Sequence, residues 1–317
     1  MVNSKTIITT SPLHRRQLKL MGNQFEFILQ GIPAEEALSH TNAAISEISR
    51  IEKLLTTFRE DSQTNLINRM AGIRPVKVDR EVFNLIERSL KISHLTQGAF
   101  DITYGSIDKK LWNFDTTMKA LPPVEVARKM VRLINYKKVI LDTDACTVFL
   151  MEKGMRIGFG GIGKGYAADR AKAVLQERGV ENGIVNAAGD LVAWGCQADG
   201  APWTVGIADP NNKWNPFSYL AISEMAVATS GNYEKYITID GKRYSHTIDP
   251  KTGLPVTGIK SVTVISPRAE ISDSMTTPVM VMGIQVGLGL INQIHQIECI
   301  IIDEYDRLFT SKNINLS

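Results

Sequence analysis

Apolar and polar positions in the N-terminal third of the chain predict one strand and two helices. Residues 24–29 (QFEFIL) predict a strand. Apolar side chains then recur at helical spacing over residues 37–55, and Pro33 suits the start of such a helix. A second helix is predicted to begin at Asp79, a good capping residue, and to end before Gly98.

Strands and helices mix in the rest of the chain. A glycine-rich turn at residues 158–165 precedes a predicted helix that ends at Gly179. Two short helices are predicted over residues 273–282 and 286–294. The remaining predicted strands are short apolar-rich segments at 138–141, 147–151, 183–186, 203–208, 236–239, 261–265, 299–302 and 307–310. This order lacks strict βαβ alternation and favours an α+β fold, with mixed sheets flanked by helices.

Composition excludes several classes of protein. The chain has 317 residues, 44% of them apolar and 22% charged, and it can bury a large core. With 36 basic and 33 acidic side chains the net charge is +3, and no dense basic block predicts nucleic acid as a partner. Three widely spaced cysteines show no metal-binding spacing and favour a reducing compartment. No apolar stretch reaches the roughly 18 residues that a membrane helix needs.

The N-terminal residues are the part of the sequence that bears on the cellular compartment of the protein. Residues 1–20 contain no apolar core of a secretory signal, and we expect them to form a solvated lead-in to a main domain at residues 21–317. The missing signal predicts a cytoplasmic protein. A leader removed from the sequence would instead fit a periplasmic or lipid-anchored protein.

The glycine-rich turn matches two nucleotide-binding patterns incompletely. Gly158, Gly160 and Gly163 have the spacing of a dinucleotide fingerprint, but no run of βα units follows them. Gly158, Gly163 and Lys164 have the spacing of a P-loop, but Gly165 stands where Ser or Thr must bind magnesium. Both patterns share a helix start that can bind an anion through backbone N–H groups, here with a lysine. The alternative is a tight turn with a solvated lysine.

Eight short segments in a fixed order carry further motifs. They are residues 21–23 (MGN), 57–59 (TFR) with Ser62 and Asn68, 98–103 (GAFDIT) with Leu111 and Trp112, 158–169 (GFGGIGKGYAAD), 186–190 (NAAGD), 228–233 (ATSGNY), 244–253 (YSHTIDPKTG), and Asp273 with Thr277. Together they resemble the FAD:protein FMN transferases, the ApbE-type flavin transferases. Gly158 departs from the family pattern, which usually has Asp there. Milder departures are Asn23, Phe58 and Ala188 in place of Thr, Tyr and Gly.

This resemblance implies a two-lobed, T-fold-like architecture with an FAD site between the lobes. It implies transfer of FMN from FAD to a Thr or Ser hydroxyl of an acceptor protein, with release of AMP. Such phosphoryl transfer requires neutralisation of the pyrophosphate, for which Mg²⁺ is suited as a hard cation. The resemblance gives Asp273, Thr277 and the backbone carbonyl of Gly161 as metal ligands. Asp273 and Thr277 stand one helical turn apart and so point the same way. Without the resemblance, Asp273 fits a helix cap.

The resemblance also implies roles for other residues. His246 is the candidate for acting on the attacking hydroxyl, as a base or an orienting group, and Asp273 is the second catalytic candidate. The residues expected to line the FAD site are Met21, Phe58, Ala99, Phe100, Asp101, Lys164, His246 and Ile248. Phe58 suits stacking on a flat ring, and Lys164 suits a phosphate.

Three other functions remain open at this stage. An FAD pyrophosphatase would release FMN and AMP without modifying a protein, and Gly158 keeps this possibility open. A dinucleotide-dependent oxidoreductase would use the glycine fingerprint. A noncatalytic interaction module would bind neither flavin nor metal.

Overall fold

The structure, a computed structural model, describes residues 12–107, 120–209, 212–231, 236–239, 242–245 and 247–314. Within these residues the helices are α1 (Ala34–Leu55), α2 (Gln63–Arg69), α3 (Arg80–Leu95), α4 (Val124–Met130), α5 (Gly163–Glu177), α6 (Ala269–Met282) and α7 (Ile284–Ile291). The strands are β1 (Leu13–Leu20), β2 (Asn23–Gln30), β3 (Val76–Lys77), β4 (Val139–Asp142), β5 (Thr147–Leu150), β6 (Asn182–Ala187), β7 (Asp190–Trp194), β8 (Trp203–Asp209), β9 (Asn212–Ile222), β10 (Met225–Gly231), β11 (Tyr236–Ile239), β12 (Lys242–Ser245), β13 (Ile259–Ser266), β14 (Glu298–Asp303) and β15 (Leu308–Thr310).

The main sheet has eight strands in the order β1-β2-β6-β7-β10-β13-β14-β15. Every pairing that the structure describes within it is antiparallel. A dinucleotide-binding fold requires parallel βαβ units, and the described residues form none. The turn at residues 158–163 also follows an irregular segment and not a strand. The interpretation of its glycines as a dinucleotide fingerprint is therefore wrong.

Both faces of the main sheet are covered, as the side-chain alternation of β2 illustrates. Phe25, Phe27 and Leu29 lie in the core formed with α1, α5 and α6. Ile28 points to the opposite face, where Trp203 and other apolar side chains of the β8–β9 hairpin pack. The period of two along β2 thus supplies both layers of core. On the helical side, α5 contacts both α1 and α6.

A smaller part of the fold contains the three-stranded sheet β3-β5-β4 and helix α4. A separate apolar cluster forms here around Ile107, Ala127 and Ile248. This cluster joins the segment after residue 101, helix α4 and the turn after β12. The predicted division of the chain into two lobes stays a prediction.

The α+β class is confirmed, and most predicted elements form close to their expected positions. Two differences matter. Leu13–Leu20, expected to be solvated, is an edge strand paired with β2 along eight residues. Its many charged side chains hide it from an apolar pattern, and charges are common on edge strands. In addition, α6 begins at Ala269 and not at residue 273, so Asp273 lies inside the helix and is not its cap.

Among the residues that the structure describes, no helix combines the length and apolar character needed to cross a bilayer. Their three cysteines are free, and two of them, Cys146 and Cys299, are buried.

Candidate functional site

The site is built on close contact between α5 and α6. A Cβ atom at Gly165 would lie 2.1 Å from the backbone oxygen of Ala269, so only glycine allows this approach. The Gly165 N–H donates to Oδ2 of Asp273 at 3.0 Å. Gly165 stands where a P-loop would have Ser or Thr. The close packing of the two helices explains why glycine is found there instead.

A second carboxylate fixes the same two helices. Asp169 of α5 accepts hydrogen bonds from the first amides of α6, those of Ala269 at 2.8 Å and Glu270 at 2.9 Å. Each helix thus supplies a carboxylate to N–H groups in the first turn of the other, which are groups that a helix leaves unsatisfied. Burial raises the pKa of Asp169, and the two backbone hydrogen bonds oppose that rise.

Lys164 lies between two acidic side chains. Its ammonium group forms an ion pair with Asp190, and its Nζ lies 3.5 Å from Oδ1 of Asp273. Both aspartate side chains are 6% exposed and that of Lys164 is 26% exposed. Burial lowers the pKa of Lys164, but the charges of Asp273 and Asp190 outweigh burial and the net shift is upward. The alternative of a solvated lysine is wrong, because this ammonium is held in a partly buried cluster.

Asp273 and Thr277 of α6 carry oxygen atoms of the kind that a hard cation prefers. Oδ2 of Asp273 accepts the Gly165 N–H, whereas Oδ1 has Lys164 as its one hydrogen-bond partner among the residues that the structure describes. Thr277 lies one turn further along α6, and the described part of the chain gives its hydroxyl no hydrogen-bond partner. The described residues contain no group of three or more His, Cys, Asp or Glu side chains placed to hold a metal. One carboxylate with hydroxyl and carbonyl oxygens suits Mg²⁺, which keeps waters and often binds substrate phosphates.

Two predicted flavin-site residues flank the glycine-rich turn. A ring carbon of Phe100 lies 3.6 Å from the Cβ position of Gly161, and the methyl group of Met21 lies 3.9 Å from that of Gly163. Met21 adopts a left-handed backbone with φ of 50° and donates its N–H to Glu52 at 3.1 Å. Ala99 is buried beside Phe100. The structure therefore brings Met21 and Phe100 to the turn that carries Lys164.

Asp101 is occupied by protein donors. Its Oδ1 accepts from the backbone N–H and the hydroxyl of Thr103, and its Oδ2 accepts from the N–H of Tyr136 at 2.9 Å. Burial raises the pKa of Asp101. In this arrangement the carboxylate caps the 3-10 turn Ile102–Ser106. Its predicted role as a polar contact to flavin stays a prediction.

Phe58 and Ile248 differ sharply in exposure. Phe58 is 97% exposed, and its chain neighbour Thr57 lines an open cleft of about 860 Å³ together with Asn68 and Arg156 among others. Such an exposed aromatic ring is available for stacking. Ile248 is 2% exposed and its side chain belongs to the apolar cluster with Ala127.

His246 lies outside the described residues, and the turn after it is held by hydrogen bonds. Asp249 accepts hydrogen bonds from the N–H of Lys251 and the hydroxyl of Thr252. A Cβ atom at Gly253 would lie 2.2 Å from the backbone oxygen of Ala127. Gly253 therefore allows this turn to pack closely on α4. Asp249, Thr252 and Gly253 are thus explained by the formation and packing of this turn.

Several important side chains received no role from the sequence. Asp190 and Asp169 both lie in recognised motifs, yet their partners Lys164 and Ala269 are distant in the chain. Asn68 binds the backbone of Ile157 twice, through Nδ2 at 3.1 Å and Oδ1 at 2.8 Å, and so holds the segment that leads to the glycine-rich turn. For each of these residues the sequence shows a polar side chain within a motif, but it does not indicate which residue that side chain contacts.

The fold and the site together define an α+β protein with a candidate cation site of oxygen donors at a glycine-rich helix start. Comparison with known proteins adds its family. The model of the ApbE family matches residues 21–301. The chain belongs to the ApbE family, which confirms the resemblance inferred from its motifs.

Named relatives and solved structures agree with this assignment. A FAD:protein FMN transferase of Klebsiella pneumoniae (strain 342) is 35% identical over 285 residues, covering 88% of each chain. One of Escherichia coli (strain K12) is 30% identical over 271 residues, covering 84% of this chain and 77% of that protein. The ApbE protein of Thermotoga maritima has a TM-score of 0.84 and 28% identity, with 95% of this chain and 97% of that chain covered. The apo flavinyl transferase ApbE of Pseudomonas stutzeri has a TM-score of 0.80 and 26% identity, with 95% and 94% covered.

Proposed function

We propose that this chain transfers FMN from FAD to a Thr or Ser hydroxyl of an acceptor protein, in a reaction that depends on Mg²⁺. The hydroxyl oxygen forms a bond to the phosphorus of the FMN half, the pyrophosphate bond breaks, and AMP leaves with the bridging oxygen. The hydroxyl proton passes to a base. The names of the relatives support this activity. The observation that carries it is the cluster of Lys164, Asp190 and Asp273 at the start of α5.

The charge of this cluster supports the dependence on metal. Its two carboxylates and one ammonium carry a net formal charge of −1, which disfavours a pyrophosphate. Asp273, Thr277 and the carbonyl of Gly161 would hold the cation. When bound, Mg²⁺ neutralises charge on the pyrophosphate and brings the formal charge of the cluster to +1.

Lys164 is placed to bind a phosphate group of FAD in this proposal. Its ammonium group is the first full positive charge at the N-terminus of α5, where backbone N–H groups also favour an anion. Asp190 holds this ammonium from one side. We assign Lys164 to binding of a phosphate of FAD, with Asp190 limiting its movement.

The ring systems of FAD require flat apolar surfaces. Phe58 supports stacking because almost all of its surface is free. Met21, Ala99 and Phe100 are assigned to the wall of the site next to the glycine-rich turn. Asp101 supports that wall by capping the turn that follows Phe100. For Ile248 we propose contact through its backbone, since its side chain is packed in the protein core.

His246 is proposed to act on the attacking hydroxyl. The proposal rests on the motif, and the hydrogen-bonded turn at residues 247–253 supports it by giving the preceding residue a rigid neighbour. Replacement by Ala is expected to preserve FAD binding and abolish FMN transfer. Unchanged transfer in His246→Ala would remove this role.

A second candidate activity is hydrolysis of FAD to FMN and AMP. The specific observation that favours it is at Gly158, where a Cβ atom would meet nothing within 4 Å. The carboxylate usual in the family is missing there and leaves space for water. In this case water replaces the acceptor hydroxyl as the attacking group.

One experiment separates these activities. The purified protein is mixed with FAD, Mg²⁺ and a candidate acceptor domain that contains a flavinylation-type Thr, and flavin fluorescence is followed in denaturing gels together with AMP release. The matched acceptor has this Thr replaced by Ala, and a parallel sample contains EDTA. Flavin on the Thr acceptor alone, lost with EDTA, supports the transferase. Free FMN and AMP without labelled protein support the pyrophosphatase, and absence of AMP contradicts both.

A further inference from the structure

The start of α6 is secured by a residue of another helix. Its own N-cap residue, Arg268, makes no side-chain capping hydrogen bond. Asp169 of α5 instead receives both of the first N–H groups of the helix, one on each carboxylate oxygen. The Arg268 guanidinium lies 3.9 Å from Oδ2 of the same carboxylate. The orientation of the first turn of α6 is therefore set from α5.

Asp273 depends on this arrangement. It lies four residues after Ala269, on the same side of the helix, and its Oδ2 accepts the Gly165 N–H. Gly165 and Asp169 are likewise one turn apart on α5. Two carboxylate contacts thus join the helices, and a shift of the α6 start would move Asp273 relative to Lys164. Because Oδ2 is held by Gly165, Oδ1 is the oxygen directed toward the ammonium.

From this geometry we infer that Asp169 is a positioning residue for metal binding: its capping of α6 holds Asp273 with Oδ1 available to Mg²⁺. The inference rests on the proposed function, in which Asp273 is the metal ligand. Asp169 is not assigned as a ligand, because both of its carboxylate oxygens accept backbone N–H groups. Residues that orient metal ligands typically change affinity by about 10–100-fold when they are replaced.

A purely structural cap would behave differently. Loss of an N-cap lowers the stability of the protein and need not change the affinity for metal. Asp142 offers a matched control in the β4–β5 turn. Its Oδ1 accepts two backbone N–H groups, from Asp144 at 3.1 Å and Ala145 at 2.9 Å, and it belongs to a different sheet.

The test uses the full chain and four proteins: wild type, Asp169→Ala, Asp169→Asn and Asp142→Ala. Mg²⁺ is titrated at fixed FAD, and the rise in melting temperature and the rate of AMP release are both recorded. We expect the half-saturating Mg²⁺ concentration to increase about tenfold or more in Asp169→Ala. Asp169→Asn retains one acceptor and should show a smaller increase. Asp142→Ala should melt earlier but titrate like wild type.

The outcomes are distinct. If wild type responds to Mg²⁺ and both Asp169 variants titrate like it, the positioning role is wrong and the proposed function stands. If wild type shows no Mg²⁺ response by either measurement, the metal-dependent function itself fails and the inference fails with it. If Asp169→Ala does not fold, Asp169→Asn decides: a half-saturating concentration equal to that of wild type overturns the inference.

Discussion

Nζ of Lys164 lies 3.5 Å from Oδ1 of Asp273, in a position where an ammonium partly balances a carboxylate proposed as a metal ligand. The same ammonium is paired with Asp190. In the proposed function, lysine and metal therefore act on the same negative charge. Removal of the lysine should affect FAD and Mg²⁺ in opposite directions.

Lys164→Met is expected to weaken FAD binding and to strengthen Mg²⁺ binding. The variant loses a positive charge for the phosphate but leaves two carboxylates for the cation, so KM for FAD should rise about tenfold while half-saturating Mg²⁺ falls. Without metal, the uncompensated carboxylates should cost about 2–3 kcal/mol of stability. Thermal melting with and without Mg²⁺, together with steady-state kinetics, measures these effects.

The control for this variant is Lys172→Met. Lys172 also forms an ion pair with a carboxylate, that of Glu224, but its partner is largely exposed. It should leave both FAD and Mg²⁺ dependence unchanged. A Lys164→Met enzyme with the Mg²⁺ and FAD dependence of wild type would show that the lysine does not share the charge of Asp273 with the metal.

Asp273→Asn should abolish Mg²⁺-dependent FAD cleavage while leaving the fold intact. The amide oxygen can still accept the Gly165 N–H, but it does not supply the negative charge that binds a hard cation. Since metal stabilisation of a transition state is worth several kcal/mol, the rate of AMP release should fall about 100-fold or more. Asp303→Asn is the control, because Asp303 is also buried and accepts backbone N–H groups in the β14–β15 turn. Normal turnover of Asp273→Asn at low Mg²⁺ would refute the ligand assignment.

Phe58→Ala should weaken FAD binding without destabilising the protein. The ring is 97% exposed, so its loss should change the free energy of unfolding by less than about 0.5 kcal/mol. Loss of a stacking contact should cost about 1 kcal/mol of binding, roughly fivefold in Kd. Tyr219→Ala, an exposed aromatic on β9, is the control and should bind FAD normally. Equal FAD affinity of Phe58→Ala and wild type, measured by fluorescence titration, would exclude stacking on Phe58.

Ala188→Gly should stabilise the protein. Ala188 has φ of 57° in the turn between β6 and β7, which costs about 1–2 kcal/mol for a residue with a Cβ atom. Glycine removes this strain but adds about 0.5–1 kcal/mol of backbone entropy cost, so a net gain of about 0.5–1 kcal/mol is expected. Ala187→Gly, at the buried end of β6, should destabilise instead. Urea denaturation compares the two, and a lower midpoint for Ala188→Gly would contradict the strain argument.

The parts of the molecule that the sequence predicts are those with a local signal. The helix after Pro33 and the strand with Phe25 follow from periodicity, because buried side chains recur at regular spacing along each of them. The ordered motifs indicated the family. Through the family they indicated Asp273 as a candidate metal ligand and Lys164 as a candidate phosphate contact. Contacts between distant segments carry no such signal. The pairing of Lys164 with Asp190, the cap that Asp169 provides for α6, and the ladder that holds β1 appear only when the chain is folded.

Gly158→Asp should shift the balance of products toward protein-bound FMN. The position has open space for a side chain and no unusual backbone conformation, and its N–H is held by the Ile102 oxygen at 3.0 Å, so the variant should fold normally. A carboxylate there would occupy space that is otherwise open to water and restore the group usual in the family. The ratio of acceptor-bound to free FMN, measured by mass spectrometry at equal AMP release, should therefore increase. Gly160→Asp is the control, because a Cβ atom at that position also meets nothing within 4 Å and the motif has no carboxylate there. A ratio that stays unchanged in Gly158→Asp, or rises equally in Gly160→Asp, would show that Gly158 does not set the balance between transfer and hydrolysis.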